Sequence, residues 1–361
     1  MKNLSVSLIG CGRIGFLLEE DPLRKKPCTH FGGALKAGIT ITSACDRSLE
    51  RLEQFSKRAN IPKKHCYLDH RELLNIEKPQ LVIIATNTDS HGEIAVDAIN
   101  SGAKVVVLEK PIAHSLEAAQ RIIDAAAKNK AALIVNHERR FDARYKKVKE
   151  MIEKSEIGEI RTVNARILTG GYKGKSSILE GGGPLLHDGT HIADILRFFF
   201  GEIKLSRGKF ERFSKNYGFE DFSVAWLTTE NGIEIFLESG GKRRFFLFEI
   251  EIWGTDGKIL IGNGYNKLYK SEPSRLYTGF RDLVEQPFPH YKENNCFHEL
   301  YKNAKKLLKD SQSPNPSSAI DGYRALEIIH SIYLSSHKNK SISLPLKSKS
   351  VNLKKIFNLK D

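Results

Sequence analysis

The N-terminal part of the chain alternates short apolar runs with segments of helical periodicity. The apolar runs predict buried strands at 4–9, 39–45, 81–85, 105–108 and 133–135. The segments between them open on serines that suit helix N-caps, which predicts helices over 48–59, 90–101 and 115–128. Alternation of strands and helices in this order predicts an α/β fold with a doubly wound parallel sheet.

After Gly158 the pattern changes to alternating, β-branched and aromatic stretches that continue to Tyr269. Turn pairs separate these stretches and predict antiparallel hairpins, at Asn231-Gly232, Asp256-Gly257 and Asn263-Gly264. Helices are predicted around them, at 142–155, 184–200, 292–309 and 318–337. This part of the chain therefore predicts antiparallel strands accompanied by helices, in contrast to the strand–helix alternation before it.

Composition narrows the class of protein. The chain has 361 residues, 40% of them hydrophobic and 28% charged, which suits two globular domains. Its longest apolar runs have the length of strands, so no membrane span is expected, and no secretory signal peptide fits before Gly10. The five cysteines are scattered, so we expect reduced thiols in the cytoplasm and neither a zinc site nor a disulfide framework.

The net charge of +14 has two interpretations, an anionic partner or a lysine-rich solvated surface. No basic run has the length of a nucleic-acid-binding tail, and no aromatic-basic pattern resembles an RNA-binding sheet. We therefore expect neither nucleic acid nor a membrane as partner. The functional interpretation of the charge is a small-molecule substrate that carries an anion.

A glycine-rich turn, Gly10-x-Gly12-x-x-Gly15, follows the first strand and precedes a helical stretch. In this context the pattern is typical of a dinucleotide-binding turn. The first glycine permits the tight turn, the second leaves room for a pyrophosphate, and the third allows close packing of helix on strand. The helix N-terminus would then supply backbone N–H groups to the phosphates, from the region of Arg13 and Ile14.

A ribose-binding carboxylate is expected at the end of the second strand, where Asp46 stands. Asp46 follows Gly15 by 31 residues, and the insertion 21–27 explains the excess over the usual separation of about 20. The alternative is a turn or helix-capping aspartate. Asp46 predicts NAD as the cofactor, whereas Arg47 keeps NADP as an alternative because an arginine can contact a 2′-phosphate.

Two residues are candidates for catalysis. The strand 105–108 delivers Lys110 at the same rim of the sheet as the glycine turn, where a lysine can stabilise a developing alkoxide. His191 has the residue type of a general base, with an ordinary pKa near 6.5. The alternatives are an exposed turn lysine and a core histidine on an amphipathic helix.

Several motifs occur in an order that resembles the Gfo/Idh/MocA oxidoreductases. Besides the glycine turn and Glu109-Lys110-Pro111, they lie at 85–91, 136–141, 156–160, 181–191 and 321–327. The resemblance implies a Rossmann domain over 1–136, a substrate-binding α+β domain over 137–345 with a large open antiparallel sheet, and a basic tail at 346–361. It also implies closing helices that pack back toward the first domain, a substrate pocket between the domains, and a homodimer or homotetramer formed through the sheet.

The resemblance also implies functional residues. The catalytic residues are Lys110 and His191, with His187 as a substrate contact or orienting partner of His191. The cofactor-binding residues are Gly10, Gly12, Arg13, Ile14, Gly15, Asp46, Arg47, Thr86, Asn87, His91, Glu109 and Lys110. The candidate substrate-binding residues rest on the charge instead and are Arg140, Arg166, Tyr172 and Asp188, with Arg139, Lys173 and Lys175 as further cations, and the alternative is that these cations are solvated surface residues.

The chain departs from the family pattern at two positions. Family members usually have proline at position 87, here Asn87, and aspartate at position 187, here His187. Asp188 follows, but on a helix a shift of one residue turns a side chain by about 100°, so Asp188 is not an equivalent replacement. His187 and His191 have the spacing of metal ligands, yet no glutamate follows His187 as in zinc proteases, and no metal is predicted.

The implied function is an NAD(P)-dependent dehydrogenase that acts on a ring hydroxyl of a sugar, sugar acid, sugar nucleotide or cyclitol. One alternative is a redox-dependent, NAD-using glycosidase. Another is a non-catalytic cofactor-binding regulator. The presence of both Lys110 and His191 argues against the regulator, because a protein that only binds the cofactor need not keep them.

Overall fold

A computed structural model describes residues 4–170, 178, 181–213 and 218–359. The chain forms two compact units. The first contains the residues up to Asp142 together with Asn294–Tyr323, and the second contains Ala143–Glu293 together with the residues from Arg324 onward. No helix in the described ranges combines the length and the apolarity needed to cross a lipid bilayer.

The first unit is built on a sheet of short parallel strands. They are β1 (Val6–Ile9), β2 (Ser43–Cys45), β3 (Cys66–Tyr67), β4 (Leu81–Ile84), β5 (Val105–Leu108) and β6 (Ala132–Val135). Their order, β3-β2-β1-β4-β5-β6, is that of a Rossmann fold, which confirms the predicted doubly wound sheet. The central strands are buried throughout, and burial on both faces explains their continuous apolar runs.

Five helices connect the strands of this unit, and a sixth comes from its later segment. The connecting helices are α1 (His30–Lys36), α2 (Leu49–Ala59), α3 (His70–Glu77), α4 (Thr88–Asn100) and α5 (Leu116–Asn129), and the sixth is α9 (Cys296–Lys309). The side chains of Ser48 and Ser115 cap α2 and α5, as predicted, by accepting backbone N–H groups. The cap predicted at Ser90 is wrong, because α4 begins one turn earlier, after Asn87.

The glycine turn is not followed directly by an α-helix. Turns and a 3-10 helix over Leu17–Glu20 follow Gly15, and α1 begins only at His30. The insertion 21–27 therefore replaces the predicted helix start with irregular backbone. The pair β3 and α3 was also not predicted, because a strand of two residues gives no periodic signal.

The second unit is built on a nine-stranded sheet. Its strands are β7 (Ile160–Leu168), β8 (Ile203–Glu211), β9 (Phe222–Thr229), β10 (Glu234–Gly240), β11 (Leu247–Gly254), β12 (Gly257–Gly262), β13 (Tyr265–Pro273), β14 (Arg281–Gln286) and β15 (Ile342–Ser343). The order is β14-β13-β12-β11-β7-β10-β9-β8-β15, and only the β7–β10 pairing among these strands is parallel. The predicted hairpin turns are confirmed, with Gly232 and Gly264 at positive φ.

Helices cover one part of this sheet. They are α6 (Ala143–Glu153), α7 (Pro184–His187), α8 (Gly189–Phe200), α10 (Ala319–Lys338) and α11 (Leu353–Phe357). The part of α10 from Arg324 onward belongs to this unit. The helix predicted over 184–200 is divided at Asp188, which lies between α7 and α8. The segment predicted as a basic tail contains α11, whose Phe357 is buried and stacks on Phe210 with ring centroids 4.9 Å apart.

Candidate active site

The glycine turn has the shape that its pattern predicts. Gly10 has a φ of +99°, and a Cβ built on it would lie 2.5 Å from the carbonyl oxygen of Ala85. A Cβ on Gly15 would lie 2.3 Å from the carbonyl oxygen of Gly10. A Cβ on Gly12 would meet no heavy atom within 4 Å. Two glycines are therefore needed for close backbone packing, and the space beside Gly12 is open to a ligand.

Asp46 lies at the carboxyl end of β2, beside this turn. Its Oδ2 accepts the backbone N–H of Cys11 at 2.7 Å, and its Oδ1 accepts the N–H of Ser48 at 2.8 Å. These two bonds fix the carboxylate against the glycine turn, where a ribose-binding acid is expected. The neighbouring Arg47 is exposed.

The loops after β4 and β5 are joined by His91. This histidine is buried on α4, and its Nδ1 lies 2.8 Å from the carbonyl oxygen of Pro111 while its Nε2 lies 3.1 Å from that of Thr86. Burial lowers the pKa of His91 below its ordinary value, although both carbonyls favour the charged ring. A neutral ring has one N–H and donates to one carbonyl at a time. His91 is thus occupied with backbone, whereas Asn87 nearby is exposed.

Glu109 is buried at the end of β5, directly before Lys110. Its Oε1 lies 2.9 Å from Nε2 of His30 and accepts the Asn136 amide N–H at 2.6 Å, while its Oε2 accepts the backbone N–H of Lys110 at 3.2 Å. Burial by itself raises the pKa of a carboxyl group, but the bonds from His30 and Asn136 and the charge of Lys110 outweigh it and lower the pKa of Glu109 to about 2. Glu109 therefore fixes the backbone from which the partly buried Lys110 side chain extends.

The other ring nitrogen of His30 connects this carboxylate to α9. Nδ1 of His30 lies 2.7 Å from the Tyr301 hydroxyl, and both side chains are completely buried. If His30 is neutral and donates from Nε2 to Glu109, its Nδ1 accepts the Tyr301 O–H. Sequence reasoning missed both residues, because His30 follows an insertion and Tyr301 stands 271 positions further along the chain.

The candidate histidines of the second unit lie on α7 and α8. His187 ends α7, with its side chain 43% exposed and its Nδ1 2.9 Å from Oδ1 of Asp188. His191 is partly buried in the first turn of α8, and its backbone N–H donates to the carbonyl of Asp188 at 3.1 Å. His187 and His191 therefore lie close together in the chain, on either side of Asp188, where α7 ends and α8 begins.

The cations predicted to bind substrate have other partners. Arg140 is buried and donates to the Pro316 carbonyl at 2.9 Å, with Asp321 3.1 Å away. Arg166 lies on β7, 3.3 Å from a carboxylate oxygen of Glu249. These pairings give Arg140 a structural role in the first unit and Arg166 an ion pair within the sheet. Predicted contacts that lie outside the described residues are Tyr172, Lys173 and Lys175.

One group of side chains in the described ranges has the spacing of a metal site. His70, Glu93 and Asp97 have ligand atoms within 4.8 Å of one another. Arg71 pairs with both carboxylates, with its Nε 3.4 Å from Asp97. The Arg71 guanidinium thus supplies the positive charge that the two carboxylates require. His70, Glu93 and Asp97 do not belong to the predicted active site.

Comparisons with known proteins agree with both units. Residues 4–137 match the profile described as oxidoreductase family, NAD-binding Rossmann fold, and residues 145–260 match that of the GFO/IDH/MocA C-terminal domain. Inositol 2-dehydrogenase of Salmonella typhimurium is 28% identical over 242 residues, 65% of this chain and 66% of that enzyme. The chain thus matches just under two thirds of the length of that relative.

Two further proteins are similar over nearly the whole chain. Myo-inositol 2-dehydrogenase of Thermotoga maritima is 26% identical over 349 residues, 94% of this chain and 98% of that enzyme. The WlbA dehydrogenase of Chromobacterium violaceum, solved with NADH and UDP-GlcNAcA, has a TM-score of 0.79 at 20% identity and covers 96% of this chain and 98% of its own. That structure shows a shared fold. With both of its units matched, the chain belongs to the Gfo/Idh/MocA family of oxidoreductases, and its first unit is the NAD-binding Rossmann domain.

Proposed function

We propose that the protein is an NAD(P)-dependent dehydrogenase that oxidises or forms a secondary hydroxyl of a sugar, sugar acid, sugar nucleotide or cyclitol. The observation that carries the proposal is Lys110, which follows β5 at the carboxyl edge of an NAD-binding sheet and whose backbone is fixed by the buried Glu109. The inositol 2-dehydrogenases among its relatives support a polyhydroxylated substrate.

The glycine turn fits a dinucleotide. The open space at Gly12 and the N–H groups around it would receive the pyrophosphate, and Asp46 would accept a ribose hydroxyl. When bound, the nicotinamide accepts the hydride that leaves the substrate carbon. The loop at Thr86 and Asn87 would border the nicotinamide side.

The chain's own residues supply the remaining chemistry. An imidazole nitrogen of His191 takes the hydroxyl proton as the alcohol is oxidised and returns it in the reverse direction. The Lys110 ammonium donates a hydrogen bond to the reacting oxygen and stabilises the negative charge that develops on it. His187, held by Asp188, contacts the substrate or orients His191.

The position of Asp46 predicts preference for NAD over NADP. Its carboxylate repels a 2′-phosphate, and we expect NADP to bind at least about tenfold more weakly, a difference of about 1.4 kcal/mol. Fluorescence titration of both cofactors measures this difference. Asp46→Asn should reduce the preference, whereas Asp69→Asn, which neutralises the carboxylate that caps α3 but keeps an oxygen acceptor, should leave it unchanged. Equal or tighter NADP binding by the wild type would point to Arg47 instead.

The screen that tests the function follows NAD(P)H absorbance with a panel of cyclitols, sugars, uronates and nucleotide sugars. The sequence predicts an anionic substrate, but Arg140 and Arg166 already have carboxylate partners. We therefore expect at least one neutral cyclitol or sugar to be oxidised with a KM that does not change with salt. Turnover restricted to anionic substrates, with a KM that rises with ionic strength, would instead support the prediction that the substrate is an anion bound by basic side chains. A complete panel without turnover would contradict the dehydrogenase.

We further propose that two or four copies assemble through the open face of the nine-stranded sheet. Trp226 on β9 and Phe236 on β10 are opposite in register, 52% and 46% exposed, with ring centroids 5.9 Å apart. An exposed aromatic pair of this kind is typical of an interface. Trp226→Glu should lower the mass measured by light scattering, while Leu23→Glu, at an exposed leucine of the first unit, should not. A monomeric wild type would overturn the assembly.

A further inference from the structure

Glu220 is a completely buried acid in the second unit that no step above uses. It lies two residues before β9, and its Oε1 accepts the backbone N–H of Leu185 at 2.8 Å. Its Oε2 is buried and has no hydrogen-bond partner in the described part of the chain. Burial raises the pKa of Glu220 to about 8, although the Leu185 N–H, its own backbone N–H and the Tyr333 hydroxyl each favour the carboxylate.

The surroundings of Glu220 favour the uncharged acid. Asp221 follows it in the chain and opposes a second negative charge, and Tyr333 on α10 has its pKa raised by burial and by Glu220. Arg212 is near enough to interact with Glu220 by its charge, and its own pKa is lowered by burial. The positive charge of Arg212 opposes this tendency, but burial is the largest influence on the pKa of the carboxyl group and favours its uncharged form.

The carboxyl group also explains the last glycine of the Gly181–Gly183 motif. Gly183 has a φ of +88°, and a Cβ built on it would lie 2.4 Å from Oε2 of Glu220. Any side chain at this position would displace the acid as well as strain the backbone. Glycine and glutamate thus form one packed pair at the start of α7.

Backbone hydrogen bonds connect this pair to the candidate histidines. The N–H of His187 donates to the Gly183 carbonyl at 2.9 Å, and that of Asp188 donates to the Pro184 carbonyl at 3.0 Å. The N–H of His191 donates in turn to the Asp188 carbonyl. A displacement of the turn at Leu185 therefore moves the backbone of both histidines.

We propose that Glu220 is a positioning residue that holds the start of α7 and thereby sets the orientation of His187 and His191. The inference rests on the proposed catalytic use of that segment. Glu220 acts through the backbone of Leu185 and Gly183, and it contacts neither substrate nor cofactor in this role.

Two substitutions of Glu220 test the proposal. Glu220→Gln keeps an oxygen that accepts the Leu185 N–H, and we expect kcat within about threefold of wild type. Glu220→Met fills a similar volume without an acceptor, and we expect kcat to fall at least tenfold while NADH binding to the first unit is unchanged. Unchanged kcat in the methionine variant, or an inactive but folded glutamine variant, overturns the proposal.

Glu327→Met is the matched control. Glu327 is a second buried glutamate of the same unit, and its Oε1 accepts the backbone N–H of Leu346 at 2.9 Å. Its replacement should lower the thermal midpoint as the Glu220 variants do, but leave kcat near wild type. An equal loss of kcat in Glu327→Met would show a general effect of destabilisation and overturn the positioning role.

The pH profile gives a second readout. Ionisation of Glu220 above about pH 8 keeps the acceptor of the Leu185 N–H but places a second negative charge beside Asp221, so wild-type kcat should decline there, and in Glu220→Gln the decline should move to higher pH. An identical alkaline decline in both proteins would show that ionisation of Glu220 does not cause it and would contradict an uncharged Glu220 at lower pH. His191→Ala is assayed in parallel: if it keeps a near-wild-type rate, the proposed catalytic use of this segment fails, whatever the Glu220 variants do, whereas absence of turnover in the wild type would contradict the dehydrogenase itself.

Discussion

His191→Ala and Lys110→Ala are each expected to lower kcat by about 10²–10⁴-fold, the usual contribution of a positioned acid–base group. Loss of His191 leaves the substrate proton without a base. Loss of Lys110 leaves the reacting oxygen without its donor, because the backbone that Glu109 fixes then carries no charged side chain. Steady-state kinetics with the best substrate of the screen measure kcat and KM, and NADH fluorescence reports cofactor binding.

Matched controls separate loss of chemistry from general damage. Lys104, an exposed residue immediately before β5, and His337, an exposed residue near the end of α10, have the same side chains away from the proposed site. Their alanine variants should retain wild-type kcat. A near-wild-type rate in Lys110→Ala or His191→Ala would remove that residue from the mechanism.

Glu109→Gln is expected to lower the free energy of unfolding by about 3 kcal/mol at pH 7. The carboxylate pKa of about 2 in the folded protein, against an ordinary value of 4.5, is worth about 1.4 kcal/mol per pKa unit. Because the folded pKa is depressed, this stabilisation is complete above pH 4.5 and is lost as the pH falls toward 2. Denaturant unfolding of wild type and variant, at neutral pH and near pH 3, measures the difference.

The matched control for Glu109 is Glu93→Gln. Glu93 is 56% exposed and pairs with Arg71 on the surface of the same unit. Exposed ion pairs contribute little, so its replacement should leave stability nearly unchanged. If the free energies of unfolding of wild type and Glu109→Gln differ little at pH 7, or differ as much near pH 3 as at pH 7, the Glu109 charge does not stabilise the folded protein. We also expect lower kcat in Glu109→Gln, because the single amide oxygen cannot replace both Oε1, which meets His30 and Asn136, and Oε2, which accepts the Lys110 N–H.

The parallel sheet and the hairpins were predictable because their signals are local. Strands buried on both faces produce apolar runs such as that of β5, and two-residue turns such as Asn263-Gly264 require glycine at positive φ. The place of Asp46 followed from the end of its strand, since every carboxyl end of a parallel sheet lies at one edge.

The buried polar partners were not predictable because they depend on distant residues. Nothing near Glu109 indicates that it contacts His30, or that His30 contacts Tyr301, 271 positions away. Likewise, Glu220 has no local signal that connects it to Leu185. Arg140 has a partner of the same distant kind, since its buried ion pair with Asp321 joins residues that no local pattern connects.

The discontinuity of the first unit has a consequence for synthesis on the ribosome. Residues 294–323 complete this unit, and Leu300, Tyr301, Ala304 and Leu307 of α9 belong to its apolar core. The nascent chain up to Asp142 therefore lacks part of its own core until the ribosome has passed the intervening second-unit segment. At about 5–20 residues per second this delay is on the order of ten seconds or more. During that interval the surface that α9 later covers stays exposed, and the second unit is incomplete as well, because it needs the residues from Arg324 onward.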